Sequence, residues 1–353
     1  MDPKGKCPGA AGREGAEHTD FGRGSNPDLC RPGRFVKPRP MSIAFIFPGQ
    51  GSQAPGMGKG LYDAFAPARE AFQEVDEALG ERLSRLIFEG SPEDLTLTAN
   101  AQPALMAVSL AAMAVLAREF GIGTEKAGFV AGHSLGEYSA LAAAGALTLA
   151  DAARLLRKRG LAMQAAVPVG AGAMAALIGK VDVAIAEAIA AEGAKAGVCV
   201  VANDNNVGNV VISGDKAGVD AALVAAKAQG VRAIALNVSA PFHSPLMQPA
   251  ADAMAAALAE VEMDLLDAPL VANVTARPVD DPDAIRALLV EQVTGRVRWR
   301  ESVEWMAQEG GVHRFVEVGA GKQLSGMVKR NAPEAEALAL NEPADLEAFA
   351  NSM

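Results

Sequence analysis

The stretch AGHSLGEYSAL, residues 131–141, sets Ser134 between Gly132 and Gly136 in a Gly-x-Ser-x-Gly pattern. A short apolar run, AGFVAG (127–132), precedes the serine, and a run of small residues, SALAAAGAL (139–147), follows it. Strand, sharp turn and helix in that order raise a hydroxyl at the end of a parallel sheet, which is the context a nucleophile elbow requires. The stretch therefore predicts an α/β fold. A serine hydroxyl is a weak nucleophile until a base takes its proton. The motif alone leaves open whether an acyl group on Ser134 passes to water or to another acceptor.

Working outward, SIAFIF (42–47) reads as a core strand ended by Pro48 and Gly49, entering the glycine-rich loop PGQGSQAPGMG (48–58). Ser91 before Pro92 is a helix cap, and Pro103 is expected to open a long apolar helix ending before Gly121. Between 172 and 238 the rhythm changes to strand (AMAALIG), helix (182–192), strand (VCVVAN), strand (NVVISG), helix (215–229) and strand (RAIALNVS). That β-α-β-β-α-β order is a self-contained ferredoxin-like unit. The expected organisation is a tail over 1–40, an α/β-hydrolase-like large domain over 41–170 and 240–353, and a ferredoxin-like subdomain over 171–239. APLVANVT (268–275) and RFVEV (314–318) are expected strands of the large domain.

The first forty residues are rich in Gly, Pro and charge and lack a periodic apolar pattern, so they are expected to be disordered, with Met41 a natural start for the folded part. They carry no signal-peptide run, and their acids argue against a transit peptide. Apolar stretches are broken by Gly, Pro or charge before the roughly 18–20 residues that span a bilayer, so no membrane segment is expected. The net charge of −10 argues against nucleic acid, which needs a basic face. Three cysteines, with Cys199 in an apolar run, suggest neither a disulfide framework nor a metal site, and a cytoplasmic monomer is expected.

Four histidines allow the base to be sought by elimination. His18 belongs to the tail, His133 points away from Ser134 across the elbow, and His313 is expected in a surface turn. His243, in NVSAPFHSPLM, lies in a Pro-flanked loop where a ring can be held beside a cleft. A hydrolase triad would add a carboxylate between Ser134 and His243 in chain order, but Asp182, Asp204, Asp215 and Asp220 all fall in the inserted unit. A Ser-His dyad is the expectation, its orienting acceptor unspecified.

LTLADAARLLRKRGLAMQ (147–164) opens on Thr148 and Asp151 in capping-box spacing. Stepping about 100° per residue from Arg154, the apolar stripe of Ala152, Leu155, Leu156 and Met163 covers about 100–200°, and Arg159 falls inside it at about 140°. Arg157 and Lys158 fall outside, toward solvent. An inward guanidinium should meet an anion. Three arrangements fit: an ion pair with an internal Asp or Glu, a helix that ends at Gly160 and spoils the count, or a substrate carboxylate on Arg159.

FPGQGSQ (47–53), GHSLGEYSAL (132–141), Arg159-Gly160, APFH (240–243) and EVGAGKQLSG (317–326) together resemble malonyl-CoA:acyl-carrier-protein transacylase, the loading enzyme family of fatty acid synthesis. The resemblance spans Met41 to the C-terminus. It implies that Ser134 is the nucleophile, His243 the base and Arg159 the grip on the malonyl carboxylate. It further implies an oxyanion hole from the main-chain N–H groups of Gln50 and Leu135, and a Gln292 main-chain carbonyl that orients His243. An asparagine near the cleft, in the expected loop ANDNNVG (202–208), could be Asn203, Asn205 or Asn206, and Phe242 would narrow the pocket toward malonyl. The implied partners are malonyl-CoA, coenzyme A and acyl carrier protein, with Arg154, Arg157, Lys158, Lys322, Lys329 and Arg330 as docking cations. No metal or redox cofactor is implied: GAGKQ (319–323) lacks phosphate-loop spacing and GQGSQAPG (49–56) lacks that of a dinucleotide fold. The alternatives are a serine esterase or thioesterase on the same elbow, and an interaction protein without chemistry.

Overall fold

The structure, a computed structural model, describes residues 42–238 and 240–353. The expectations for residues 1–40 and for Met41 lie outside them.

The strand β1 (Ser42–Phe47) is buried along its length, with Ile43, Phe45 and Phe47 in one apolar cluster and Ala44 and Ile46 in another. A strand apolar on both faces belongs inside a sheet that helices cover on each side. Helices α1 (Lys59–Ala64), α2 (Ala66–Leu79), α3 (Leu83–Glu89), α4 (Pro92–Thr96) and α5 (Thr98–Phe120) carry the chain to β2 (Phe129–Gly132). Next come α6 (Gly136–Ala143), α7 (Leu149–Ala165), β3 (Gly172–Ile178), α8 (Val183–Gly193), β4 (Cys199–Asn206), β5 (Asn209–Asp215), α9 (Lys216–Ala228) and β6 (Arg232–Ala235). After a short 3-10 turn at Pro245–Met247 come α10 (Gln248–Ala259), β7 (Leu270–Val271), β8 (Pro278–Val279), α11 (Pro282–Thr294) and α12 (Trp299–Gln308). The chain closes with β9 (Val312–Val318), α13 (Gln323–Asn331), β10 (Glu336–Leu340) and α14 (Pro343–Asn351).

The large sheet runs β10-β9-β1-β2-β7-β8 and is parallel except for the β7–β8 pair. Because β9, β1 and β2 are neighbours and parallel, the loops after them open at one place, the usual ligand position of such sheets. The inserted sheet runs β4-β5-β3-β6, all antiparallel, which is the ferredoxin-like order. It has its own core, including Leu177, Ile189, Ile212 and Val219. The architecture is α/β, an α/β-hydrolase-like domain with a ferredoxin-like insert.

Several local readings need correction. α5 begins at Thr98, with Pro103 inside it rather than opening it. Proline has no N–H for the carbonyl four residues earlier. That carbonyl, Ala99 O, instead accepts from Arg157 Nη1 at 2.6 Å. Arg157, which also meets Asn100 and Glu81, is thus an internal tie and not a free surface cation. By length and composition α5 could cross a membrane, contrary to the sequence reading, yet 89% of that apolar window is buried within the protein. ANDNNVG (202–208) is not a loop: β4 runs to Asn206 with two register shifts, and Asn203 through Asn206 are buried. β6 stops at Ala235, APLVANVT is a strand only at Leu270–Val271, and His313 is an exposed residue within β9.

Candidate active site

The elbow is built by close approach. A Cβ on Gly132 would lie 1.9 Å from Gly136 main-chain atoms, and one on Gly136 would lie 2.3 Å from Phe47 O. Only glycine lets β2 turn into α6 against the end of β1. At the apex Ser134 has φ 53°, and His243 has φ 56°, left-handed values that cost a non-glycine residue about 1–3 kcal/mol. Three bonds hold the strained apex. Ser134 N–H donates to Asn273 Oδ1 (2.8 Å), Asn273 Nδ2 donates to Gly132 O (2.7 Å), and Gln292 Nε2 donates to Ser134 O (2.9 Å).

Ser134 Oγ lies 2.8 Å from His243 Nε2, and His243 Nδ1 lies 2.9 Å from the Gln292 main-chain carbonyl. The carbonyl can only accept, so the proton belongs on Nδ1 and Nε2 is free to accept from the serine. Burial, and then the charge of Arg159, push the His243 ring down to about 3, so it stands as a neutral base. His133 is half-buried, its ring depressed by desolvation, and tied through Nε2 to Asn205 Oδ1 at 2.9 Å.

These two lowered histidines have a measurable consequence. Below 6.5 the unfolded chain binds protons that native His243 refuses, so its contribution is full above pH 6.5 and is lost as pH falls toward about 3, and the lowered His133 acts in the same direction. Glu137, raised to about 7 by burial, acts in the opposite sense between 4.5 and 7. A comparison of wild type with His243→Ala by chemical denaturation isolates the one ring. The variant's stability should fall less steeply with acid, by about 1.4 kcal/mol per pH unit below pH 6.5. Identical slopes would mean that native His243 is protonated.

α7 runs unbroken through Gly160, where a Cβ would meet Ala99 Cα at 2.6 Å, so the glycine lets α7 touch the start of α5. Arg159 is 1% exposed, as its position in the apolar stripe requires. Its partners are neutral oxygens: Nη1 donates to Gln102 Oε1 (2.8 Å), and Nη2 to Gln292 Oε1 (2.7 Å) and Ser134 Oγ (3.2 Å). Its Nε is buried without an acceptor. Among the described residues neither the internal ion pair nor the broken helix accounts for this arginine.

Gln50 and Leu135 flank the same space, and among the described residues neither main-chain N–H has an acceptor. The Gln50 loop is fastened on three sides. Gln50 Nε2 donates to Thr98 Oγ1 (3.1 Å), Gly51 N–H donates to Gln53 Oε1 (2.6 Å), and Gln323 Nε2 donates to Gly51 O (2.7 Å). Leu135 caps the start of α6, where helix N–H groups favour negative charge. The start of α13 is otherwise engaged: buried Glu317 accepts the N–H groups of Leu324 (3.0 Å) and Ser325 (2.7 Å), filling the place a phosphate would take.

These groups face a cavity of about 400 Å3 between the two sheets. Met174, Ala176 and Val211 line it from the small sheet, and Phe242 from the large domain. Asn203 and Asn205 line it as well, whereas Asn206 does not. Sequence reasoning missed Gln102, Glu137, Asn273 and the side chain of Gln292, which were assigned no contact or only a main-chain one. The available signal for Glu137 was a lone acid in the otherwise small and apolar GEYSALAA.

The acyl transferase domain family matches residues 44–342. The chain is 45% identical over 306 residues to the malonyl CoA-acyl carrier protein transacylase of Bacillus subtilis strain 168, covering 86% of this chain and 95% of that one. Among solved structures, acyl-carrier-protein-S-malonyltransferase from Bartonella henselae matches at TM-score 0.86 and 54% identity, covering 88% and 99% of the two chains. A malonyl-transacylase, PlMCAT, solved in complex with a type II PKS acyl-carrier protein, AntF, matches at TM-score 0.85 and 40% identity, covering 88% and 100%.

Proposed function

This chain belongs to the acyl transferase family, among its malonyl CoA-acyl carrier protein transacylases, and on that premise we propose how its own residues carry out the transfer. The reaction moves a malonyl group to acyl carrier protein. Malonyl-CoA is the donor in the proposal. Ser134 Oγ gives its proton to His243 Nε2 and attacks the thioester carbonyl. The oxyanion sits on the N–H groups of Gln50 and Leu135, and Arg159 holds the malonyl carboxylate. As the C–S bond breaks, coenzyme A leaves with the proton from His243, and the malonyl group stays as an ester on Ser134. The carrier's pantetheine thiol then yields its proton to His243 and attacks the ester, and Ser134 leaves with that proton.

The observation that carries the reading is the convergence on one oxygen: Ser134 Oγ has a neutral base at 2.8 Å and, at 3.2 Å, a buried guanidinium that makes no direct ion pair among the described residues. A donor without a carboxylate has no use for the second. The depressed His243 and its carbonyl partner also suit a thiol attacker, whose proton leaves far more readily than that of water. The proposal includes no metal or redox cofactor, since side chains and amides take every role. It also includes a monomer working in the cytoplasm.

The deciding experiment is mass spectrometry after mixing with malonyl-CoA alone. A malonyl group should persist on the Ser134 peptide, be absent in Ser134→Ala, and disappear when acyl carrier protein is added. Rapid loss of the adduct to water would make the enzyme an esterase, and an adduct that the carrier cannot discharge would sink the transferase assignment.

A further inference from the structure

The geometry points to Glu137 as a positioning residue that sets which end of the Gln292 carboxamide faces Arg159, and so holds the guanidinium ready for a substrate carboxylate. The inference rests on the malonyl-transfer reading of the site.

Glu137 and Gln292 are buried, at 2% and 0% exposure. Each Glu137 oxygen meets a donor. Oε1 accepts the Asn273 N–H at 2.7 Å, and Oε2 accepts Gln292 Nε2 in a short contact. The same Nε2 donates to Ser134 O at 2.9 Å, while Gln292 Oε1 accepts from Arg159 Nη2 at 2.7 Å. A carboxamide has two ends of nearly equal shape, so the groups around it decide its orientation. Two acceptors, Glu137 Oε2 and Ser134 O, demand the NH2 end. The oxygen end is then left for Arg159. Reversed, the amide would set a donor against a cation.

The intervening amide also keeps the buried Glu137 carboxyl group out of direct contact with the guanidinium. A direct Glu137–Arg159 ion pair would neutralise the guanidinium and compete with the malonyl carboxylate. Through Gln292 the acid orients the arginine's acceptor without occupying the guanidinium's N–H groups itself. His243 is not involved in this relay, because its anchor is the Gln292 main-chain carbonyl.

Glu137→Gln tests this with almost no change in shape. The Asn273 N–H claims the new side chain's oxygen, so its NH2 faces the Gln292 NH2, and relief requires Gln292 to reverse. Donor activity is compared with malonyl-CoA and acetyl-CoA, acyl carrier protein being the acceptor. For malonyl, kcat/KM should fall by about tenfold to a hundredfold, mainly through KM, and for acetyl several-fold less. Equal proportional losses would overturn the positioning role. The double variant Glu137→Gln/Gln292→Leu, which has no opposed donors, guards against misfolding of the single one. It should lose no more than Gln292→Leu alone, because Glu137 acts through that amide, and a further malonyl-specific loss would overturn the inference. Wild type run alongside separates the two levels: failure of wild type to carry malonyl on Ser134 strikes the transfer reading, while a normal wild type with unselective variants strikes only the role of Glu137.

Discussion

His243→Ala should lower malonyl transfer by about 10^4-fold, in line with the loss of a base from a serine nucleophile. Among the described residues the geometry leaves no substitute within hydrogen-bond reach of Ser134 Oγ. The nearest other histidine, His133, is tied to Asn205 through Nε2, and the remaining charged neighbour of Ser134 Oγ is Arg159, a cation that cannot take a proton. The variant should keep its fold, since the loop around residue 243 is also secured by Ser244 Oγ donating to Pro241 O at 2.7 Å. Stopped-flow release of coenzyme A, compared at equal enzyme concentration, measures the first half-reaction directly. A loss smaller than about tenfold would remove His243 from the base role, because general-base catalysis alone contributes about 10^2–10^4.

Much of the architecture was legible because its signals are local. The apolar run, the two glycines and the serine at the elbow are all adjacent in sequence, and so are the alternating strands and helices of the insert. Arg159 was legible because burial on a helix follows a 3.6-residue period, and a charge inside the apolar stripe has to be explained. His243 was legible only through scarcity, in a chain with four histidines. What stayed hidden depends on contacts that leave no period behind. Asn273 holds the elbow from 139 residues away, and Gln292 reaches Ser134 across 158. Amides such as these can be buried or exposed with equal ease, so nothing in their immediate neighbourhood marks them. The polar run ANDNN misled for the same reason: its residues read as a loop, but Asp204, Asn205 and Asn203 find partners from elsewhere. Asp204 pairs with Arg300, Asn205 with His133, and the Asn203 strand segment bridges to Val297. Pro103 misled because the donor that replaces its missing partner, Arg157, lies far along the chain.

Arg159→Ala should reverse the preference of the site between donors. The guanidinium is buried, and a carboxylate that meets it gains a charge-assisted, two-pronged contact away from water. Losing it should cost malonyl transfer about 10^2–10^3-fold in kcat/KM, since the carboxylate would then be buried without a partner. Acetyl transfer should change little or improve, for a second reason. After burial itself, the Arg159 charge is the largest cause of the lowered His243 basicity. With an acetyl donor that charge stays uncompensated and opposes the imidazolium that forms as Ser134 attacks. On the proposed reading a malonyl carboxylate would offset the charge and restore the base at the moment it is needed. On that reading the arginine would discriminate twice, once by binding the acid and once by penalising any donor that lacks one. Removing it abolishes both effects, so the malonyl-to-acetyl ratio should collapse further than the malonyl rate alone. Parallel losses for the two donors would instead make Arg159 a structural residue and leave the carboxylate without its grip.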